Sequence, residues 1–175
     1  MSGDYTAYDA VVFDLDGTLV DLVVDWQAVA DDAIAMFERN GHDVAGAGLW
    51  DLLERADDDG LRPELEAVIA GHEVPGAEAS ERLAHADHLP LTVPTGVCSL
   101  NCEAACRTAL DRHDLSTHVE SVVGRDSVAT YKPDPEPLEA TLRDLGADPD
   151  AALFVGDSER DAVTAERAGV DFRWV

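Results

Sequence analysis

Four short apolar runs recur at wide intervals along the chain: Ala10-Val11-Val12-Phe13, residues 93–98, residues 119–123, and Ala152-Leu153-Phe154-Val155. A fifth, weaker run covers 170–175. Each has the length and continuity of a strand buried on both faces. Between the later runs the spacing becomes helical. Leu138, Leu142 and Leu145 mark one helix face, and Ala162, Ala165 and Gly169 mark another. Pro133, Pro135 and Pro137 predict an extended approach to the helix near 137–145, and Gly146 suits its C-terminal cap. Strands alternating with helices predict a parallel sheet covered on both sides.

Residues 21–90 follow a different pattern. Trp26, Val29, Ala33 and Phe37 form a helical stripe that ends at Asn40-Gly41. Residues 49–55, 61–70 and 77–86 carry the pattern of further short helices, and no strand pattern interrupts them. The expected architecture is an α/β fold: a Rossmann-like parallel sheet core with helices on both faces, and a small all-helical insertion after the first strand. The core would comprise residues 1–20 and 91–175, and the insertion residues 21–90.

Composition narrows the class. At 175 residues and 46% hydrophobic, the chain can bury a sizeable core. The longest uncharged stretch, 89–102, is too short for a membrane span and holds Pro90 and Pro94. The first ten residues carry Asp4 and Asp9 and no basic residue, unlike a secretory leader, so a cytoplasmic location follows by default. Acids outnumber bases 37 to 12, a net charge of −25, which disfavours nucleic acid as a partner. The acids are dispersed, and Lys132 is the only lysine beside eleven arginines. Such a surface resembles that of proteins from organisms with multimolar internal salt, where the Debye length is about 3 Å at 1 M. Against that background the single retained ammonium marks Lys132 as a candidate functional group. Cys98, Cys102 and Cys106 step by four and read as small buried thiols, not as a metal site or a disulfide framework.

Polar residues follow directly on three of the apolar runs: Asp14 and Asp16 on the first, Ser99 on the second, and Gly156-Asp157 on the fourth. In an open parallel sheet, ligands bind beyond the carboxyl ends of the strands, so three segments deliver polar groups to one edge. Gathering Asp14, Asp16, Asp157 and Asp161 there is unfavourable. Two unit charges 4 Å apart repel by about 4 kcal/mol at an effective dielectric near 20. A hard divalent cation such as Mg²⁺, which binds carboxylates and substrate phosphate oxygens together, resolves this. Lys132 and the Ser99 hydroxyl could then hold phosphate oxygens. Gly17 and Gly156 let the backbone approach a ligand closely. Each feature has a plainer reading as well. Asp14-x-Asp16-Gly17 suits a simple turn, Ser99 suits a cap on the helix beginning near Asn101, and Asp161 suits a first-turn acid. His85 and His88 read as exposed polar positions, and Trp26 and Trp50 as core of the insertion.

Taken together the segments resemble the haloacid dehalogenase superfamily, in its phosphoglycolate phosphatase-like and beta-phosphoglucomutase-like branch. Asp14-Leu15-Asp16-Gly17-Thr18-Leu19 matches DxDGTL, Ser99 ends the second motif, Lys132-Pro133 matches the third, and Gly156-Asp157-Ser158-Glu159-Arg160-Asp161 matches GDSxxD. The resemblance covers about residues 8–20 and 93–172. It implies that Asp14 is the nucleophile of an aspartyl-phosphate intermediate and Asp16 the acid and base. It implies Mg²⁺ at Asp14, the backbone carbonyl of Asp16, and Asp157, and phosphate at Ser99 and Lys132. Asp161, Thr18, Gly17 and Asn101 would give support. The implied partner is a small phosphorylated metabolite, with no nucleic acid or membrane, on a monomer or weak homodimer. Asp16, absent from the superfamily's dehalogenases, favours phosphoryl transfer. The insertion corresponds to the family's cap but is shorter than usual, and the chain ends soon after its fifth strand. A phosphomutase shares the same catalytic pair and is a second reading; a non-catalytic phosphometabolite-binding protein is a third. A receiver-type phosphoacceptor would need neither Asp16 nor the insertion.

Overall fold

The computed structural model describes residues 5–175. Residues 1–4, the start of the expected core segment and of the stretch read for a leader, lie outside the described residues. The core is a five-stranded parallel sheet made of β1 (Ala10–Phe13), β4 (Thr95–Cys98), β5 (Ser121–Val123), β6 (Ala152–Gly156) and β7 (Asp171–Trp174), in the order β5-β4-β1-β6-β7. All five apolar runs therefore became strands. β1 lies in the middle and, like its neighbours β4 and β6, is buried throughout, whereas β7, at one edge, is part exposed.

The period of two sorts the side chains between two layers. Val11 and Phe13 of β1, Val97 and Val155 face one cluster, closed by Ala105, Cys106 and Ala109 of α4 (Glu103–Arg112). Val12, Cys98 and Phe154 face the other, closed by Leu138 and Leu142 of α5 (Glu136–Leu145) and Ala165 of α6 (Glu159–Ala168). α5 ends on Gly146 at φ 67°, as the sequence predicts. Its approach is not extended as expected: residues 132–135 turn, Pro135 caps the helix at φ −71°, ψ −23°, and Pro137 falls inside the first turn, where its missing N–H costs nothing. The three cysteines are free and buried, Cys98 in β4, Cys102 at the N-cap of α4 and Cys106 within it.

The insertion contains α1 (Trp26–Arg39), α2 (Leu49–Asp59) and α3 (Arg62–Glu78), packed around their own apolar cluster of Val29, Phe37, Leu52, Leu53, Leu65 and Ile69. Two expectations fail here. The segments 61–70 and 77–86 are not separate helices. α3 runs on through Pro75 to Glu78, and residues 84–88 form one 3-10 turn. The stretch is also not free of strand. β2 (Val20–Asp21) pairs antiparallel with β3 (Glu81–Arg82) where the chain leaves and re-enters the sheet domain. Two adjacent connections satisfy their backbone groups on each other there. Two residues each are too few to show a period in sequence. His85 and His88 are half-buried, their rings 5.5 Å apart, not simply exposed. No helix among the described residues is long and apolar enough to cross a membrane.

Candidate active site

Three strand ends meet at one edge of the sheet. The Asp14 N–H donates to the carbonyl of Val155 at 2.8 Å, so the β1–β6 ladder continues as far as the first acid. The chain then turns. The N–H groups of Thr18, Leu19 and Val20 all converge on the carbonyl of Leu15, and Gly17 takes φ 83°, a left-handed value that suits glycine. The Asp16 carboxylate accepts the Leu22 N–H at 2.8 Å and is half-buried. Thr18 Oγ1 is buried without a hydrogen-bond partner.

Lys132, 1% exposed, reaches this edge from the segment before α5. Its ammonium donates to Asp14 Oδ1 at 2.9 Å, to the carbonyl of Cys98 at 3.1 Å, and to Asp161 Oδ1. Burial opposes its charge, but Asp14 and Asp161 outweigh burial and raise its pKa. Asp161 is fixed from the other side. It sits at the third position of α6 in a capping box, where its Oδ2 accepts from the Ser158 N–H at 3.1 Å and from the Ser158 hydroxyl at 2.7 Å. The first-turn reading of Asp161 is thus correct and incomplete, because the same carboxylate also holds Lys132.

The acids are held against their ordinary ionisation. Burial, reinforced by Asp161 and opposed by Lys132, pushes Asp14 up to about 7. Burial pushes Asp16 up to about 6, against the Leu22 N–H. Asp157, more open to solvent, is also raised by its loss of water and by Asp161. Oxygens of Asp14, Asp157 and Asp161 lie within 4.8 Å of one another, a group that could hold a metal ion. Three acids against one lysine, all offering hard oxygen donors, suit a hard divalent cation. The loop is closed on this point, since a Cβ on Gly17 would lie 2.1 Å from Asp157 Oδ2.

These groups open into a cavity of about 510 Å³ between the sheet edge and the insertion. Trp26, Ala30, Leu49, Trp50, Leu53 and Ile69 give it an apolar wall. Trp26 and Trp50 are 43% and 41% exposed, so they are not core residues of the insertion. The β4 end contributes Asn101 to the lining, while Ser99 is 2% exposed. The Ser99 hydroxyl donates to Asn101 Oδ1 at 3.0 Å and accepts the Asn101 N–H at 3.1 Å. It does not cap the following helix, whose N-cap is Cys102.

The chain's family is decided by a match over residues 8–169 to the model of the haloacid dehalogenase-like hydrolases. The chain belongs to that family. Among its relatives, the phosphoglycolate phosphatase of Rhodospirillum rubrum is 34% identical over 92% of this chain and 76% of its own length. That of Cereibacter sphaeroides is 34% identical over 93% of this chain and 82% of its own. Among solved structures, a haloacid dehalogenase-superfamily hydrolase of subfamily IA, variant 1, from Geobacter sulfurreducens superposes with a TM-score of 0.62 at 26% identity, covering 98% of this chain and 89% of that one.

One pair in this hydrolase escaped the sequence. Glu73 of α3, fully buried, accepts two bonds from Arg125, at 2.7 and 3.0 Å. It also accepts the Asn101 side-chain amide at 3.2 Å and the Cys102 N–H at 3.0 Å. Arg125, 3% exposed, further donates to Glu66 at 2.9 Å and to the carbonyl of Leu100 at 2.7 Å. Burial opposes its charge and the two glutamates overcome it, raising its pKa. The available signal was weak: an arginine beside Gly124 just after the third apolar run, and a glutamate four residues from Ile69 on the helix stripe.

Proposed function

We propose that the chain is a Mg²⁺-dependent phosphatase that cleaves the phosphate monoester of a small metabolite through an aspartyl-phosphate, in the manner of its phosphoglycolate phosphatase relatives. The core is residues 1–20 and 91–175, and residues 21–90 form a cap over the site. The observation that carries the reading is the contact of Lys132 with Asp14 at 2.9 Å, with Asp16 on the same turn and Asp157 across from it.

An Asp14 carboxylate oxygen attacks phosphorus, and the bond from phosphorus to the ester oxygen breaks. Asp16, raised to about 6, gives its proton to the departing alkoxide. The Asp16 carboxylate then takes a proton from water as the water oxygen attacks the phosphorus of the intermediate. The bond to Asp14 breaks, phosphate leaves, and both acids return to their starting forms. Asp14, the Asp16 backbone carbonyl and Asp157 would hold Mg²⁺, which when bound supplies positive charge for the phosphate oxygens and keeps Asp14 ionised. Asp161 supports them, its two oxygens already engaged by Lys132 and Ser158. Lys132 holds Asp14 and meets phosphate charge, while Ser99 and Asn101 shape the β4 side. Gly17 and Thr18 keep the turn tight beneath Asp157.

The test is hydrolysis of p-nitrophenyl phosphate and a panel of sugar and organic-acid phosphates, with Mg²⁺ in high KCl. Inorganic phosphate release, and a labelled phosphoryl-enzyme trapped by acid quench, are expected. No release on any ester would sink the reading, and an isomerised ester would make it a mutase.

A further inference from the structure

The leaving-group side of the cavity has a definite chemistry. Two tryptophans, each more than two-fifths exposed, face it from α1 and α2, beside Leu53 and Ile69. At about 510 Å³ it sits within the roughly 300–1,000 Å³ range of pockets that enclose drug-sized ligands. That is far more room than a two-carbon acid ester fills. Its charges run the same way. The lining holds two cations, Lys132 and Arg125. Lys132 spends its three N–H bonds on Asp14, Asp161 and the Cys98 carbonyl, at the phosphate end. Every nitrogen of Arg125 is engaged by Glu66, Glu73 or the Leu100 carbonyl. Glu66 is shared with Arg62, at 2.7 Å, so the network of two arginines and two glutamates is satisfied within itself, and its Glu73 belongs to the lining. The Arg160 guanidinium lies 3.8 Å from the centroid of the Trp50 ring but does not line the cavity. Among the described lining residues, neither cation is free to meet a carboxylate on the leaving group, which would be desolvated beside Glu73.

Building on the phosphatase reading above, we propose that the preferred substrates are phosphate monoesters of uncharged alcohols bearing an aromatic ring, which packs on Trp26 and Trp50. Short carboxylate-bearing esters, phosphoglycolate among them, are poor substrates. Flat apolar rings gain from aromatic stacking as well as from area, and the loss of one stacking partner is worth about tenfold in kcat/KM.

The experiment compares kcat/KM for 2-naphthylmethyl phosphate and phosphoglycolate. Both leave as alkyl alkoxides, so leaving-group acidity does not decide the result. The ratio should favour the naphthylmethyl ester at least about tenfold. Trp26→Ala and Trp50→Ala should each shrink that ratio about tenfold, mainly through KM, and Trp→Phe at either position should restore most of it. Circular dichroism of each variant checks folding, and competitive inhibition of the wild-type enzyme by 2-naphthylmethylphosphonate gives an independent measure of ring binding. A preference for phosphoglycolate, or a ratio indifferent to both tryptophans, overturns this inference and leaves the phosphatase reading standing. Hydrolysis of neither ester, nor of any other in the panel, removes the phosphatase reading and this inference with it.

Discussion

Asp14 and Asp16 stand two residues apart in environments that give them different work. Asp14 is buried against Lys132, while Asp16 is half-buried and tied to one backbone N–H. Asp14→Asn should therefore leave no turnover and no trapped phosphoryl-enzyme. Asp16→Ala should slow turnover by about 10²–10⁴-fold, most severely for poor leaving groups. Gly17→Ala tests the turn between them. The new methyl meets a carboxylate oxygen of Asp157 at 2.1 Å from a backbone at φ 83°, so the acid must move. Activity should fall at least as far as in Asp157→Ala, with a weaker apparent Mg²⁺ affinity and a stability loss above about 1 kcal/mol. Metal titration of the rate and a urea melt measure the two effects. The cysteines test the absence of a role. Burial pushes the Cys98 and Cys102 thiols up to about 12, and Cys106 is raised as well. The thiolate is the reactive form, so at pH 8 only about 10⁻⁴ of such a thiol is ionised. Iodoacetamide should label none of the three in the native protein and all three in urea. Native labelling as fast as in urea would contradict their burial.

At the scale of elements, legibility tracked how locally each signal was written. The five strands and the four motif segments lie in continuous runs whose spacing or order is visible without the fold, so the meeting of Asp14, Lys132 and Asp157 at one sheet edge could be read directly. α3 could not. Its sequence pattern stops at residue 70, and Pro75 lies inside the helix, where an interior proline costs about 3 kcal/mol. Past Pro75 the helix packs closely on the chain before α1: a Cβ on Gly76 would lie 2.6–2.7 Å from Val24 and from the Val23 carbonyl, and the Gly76 carbonyl accepts the Val23 N–H at 3.1 Å. Glu73, one turn earlier, anchors the same helix to the core through Arg125. Neither partner of that pair is informative alone, since 52 residues separate them. The pair also reaches the site, through Asn101 to Ser99. Removing one member leaves the other charge buried and under-satisfied, so Glu73→Ala and Arg125→Ala should each cost roughly 3–5 kcal/mol. The double variant should be more stable than the sum of the two, by about 1–3 kcal/mol. Denaturant melts of the four proteins close the cycle. Strict additivity would mean the pair does not hold the insertion to the sheet.

Over the whole molecule the net charge of −25 is unevenly opposed. The cations that matter most, Lys132 and Arg125, are buried in close pairs that salt barely screens. The surplus acid lies outside, and some of it is placed where it costs stability. α2 ends in Asp57-Asp58-Asp59 with no basic residue in its last turn, at the helix end where the macrodipole favours cations; Arg62 meets Asp57 and Arg55 meets Asp59, at 3.1 Å each, which leaves Asp58 unopposed among the described residues. These repulsions act over the Debye length, about 10 Å at 0.1 M and about 3 Å at 1 M. Adding KCl therefore weakens the repulsion and leaves the buried pairs largely intact, so it should raise stability. The melting temperature should climb steadily from 0.1 M to 2 M KCl, with most of the gain below about 1 M, where the screening length changes most. Replacing Asp58, which has no such arginine partner, by Asn should raise the low-salt melting temperature and flatten the dependence. A melting temperature unchanged between 0.1 M and 2 M KCl would show that the acid surface is already compensated. It would then remove the argument that ties this composition to high salt, and with it the argument that the lone lysine was kept against pressure. The role of Lys132 would rest on its contacts alone.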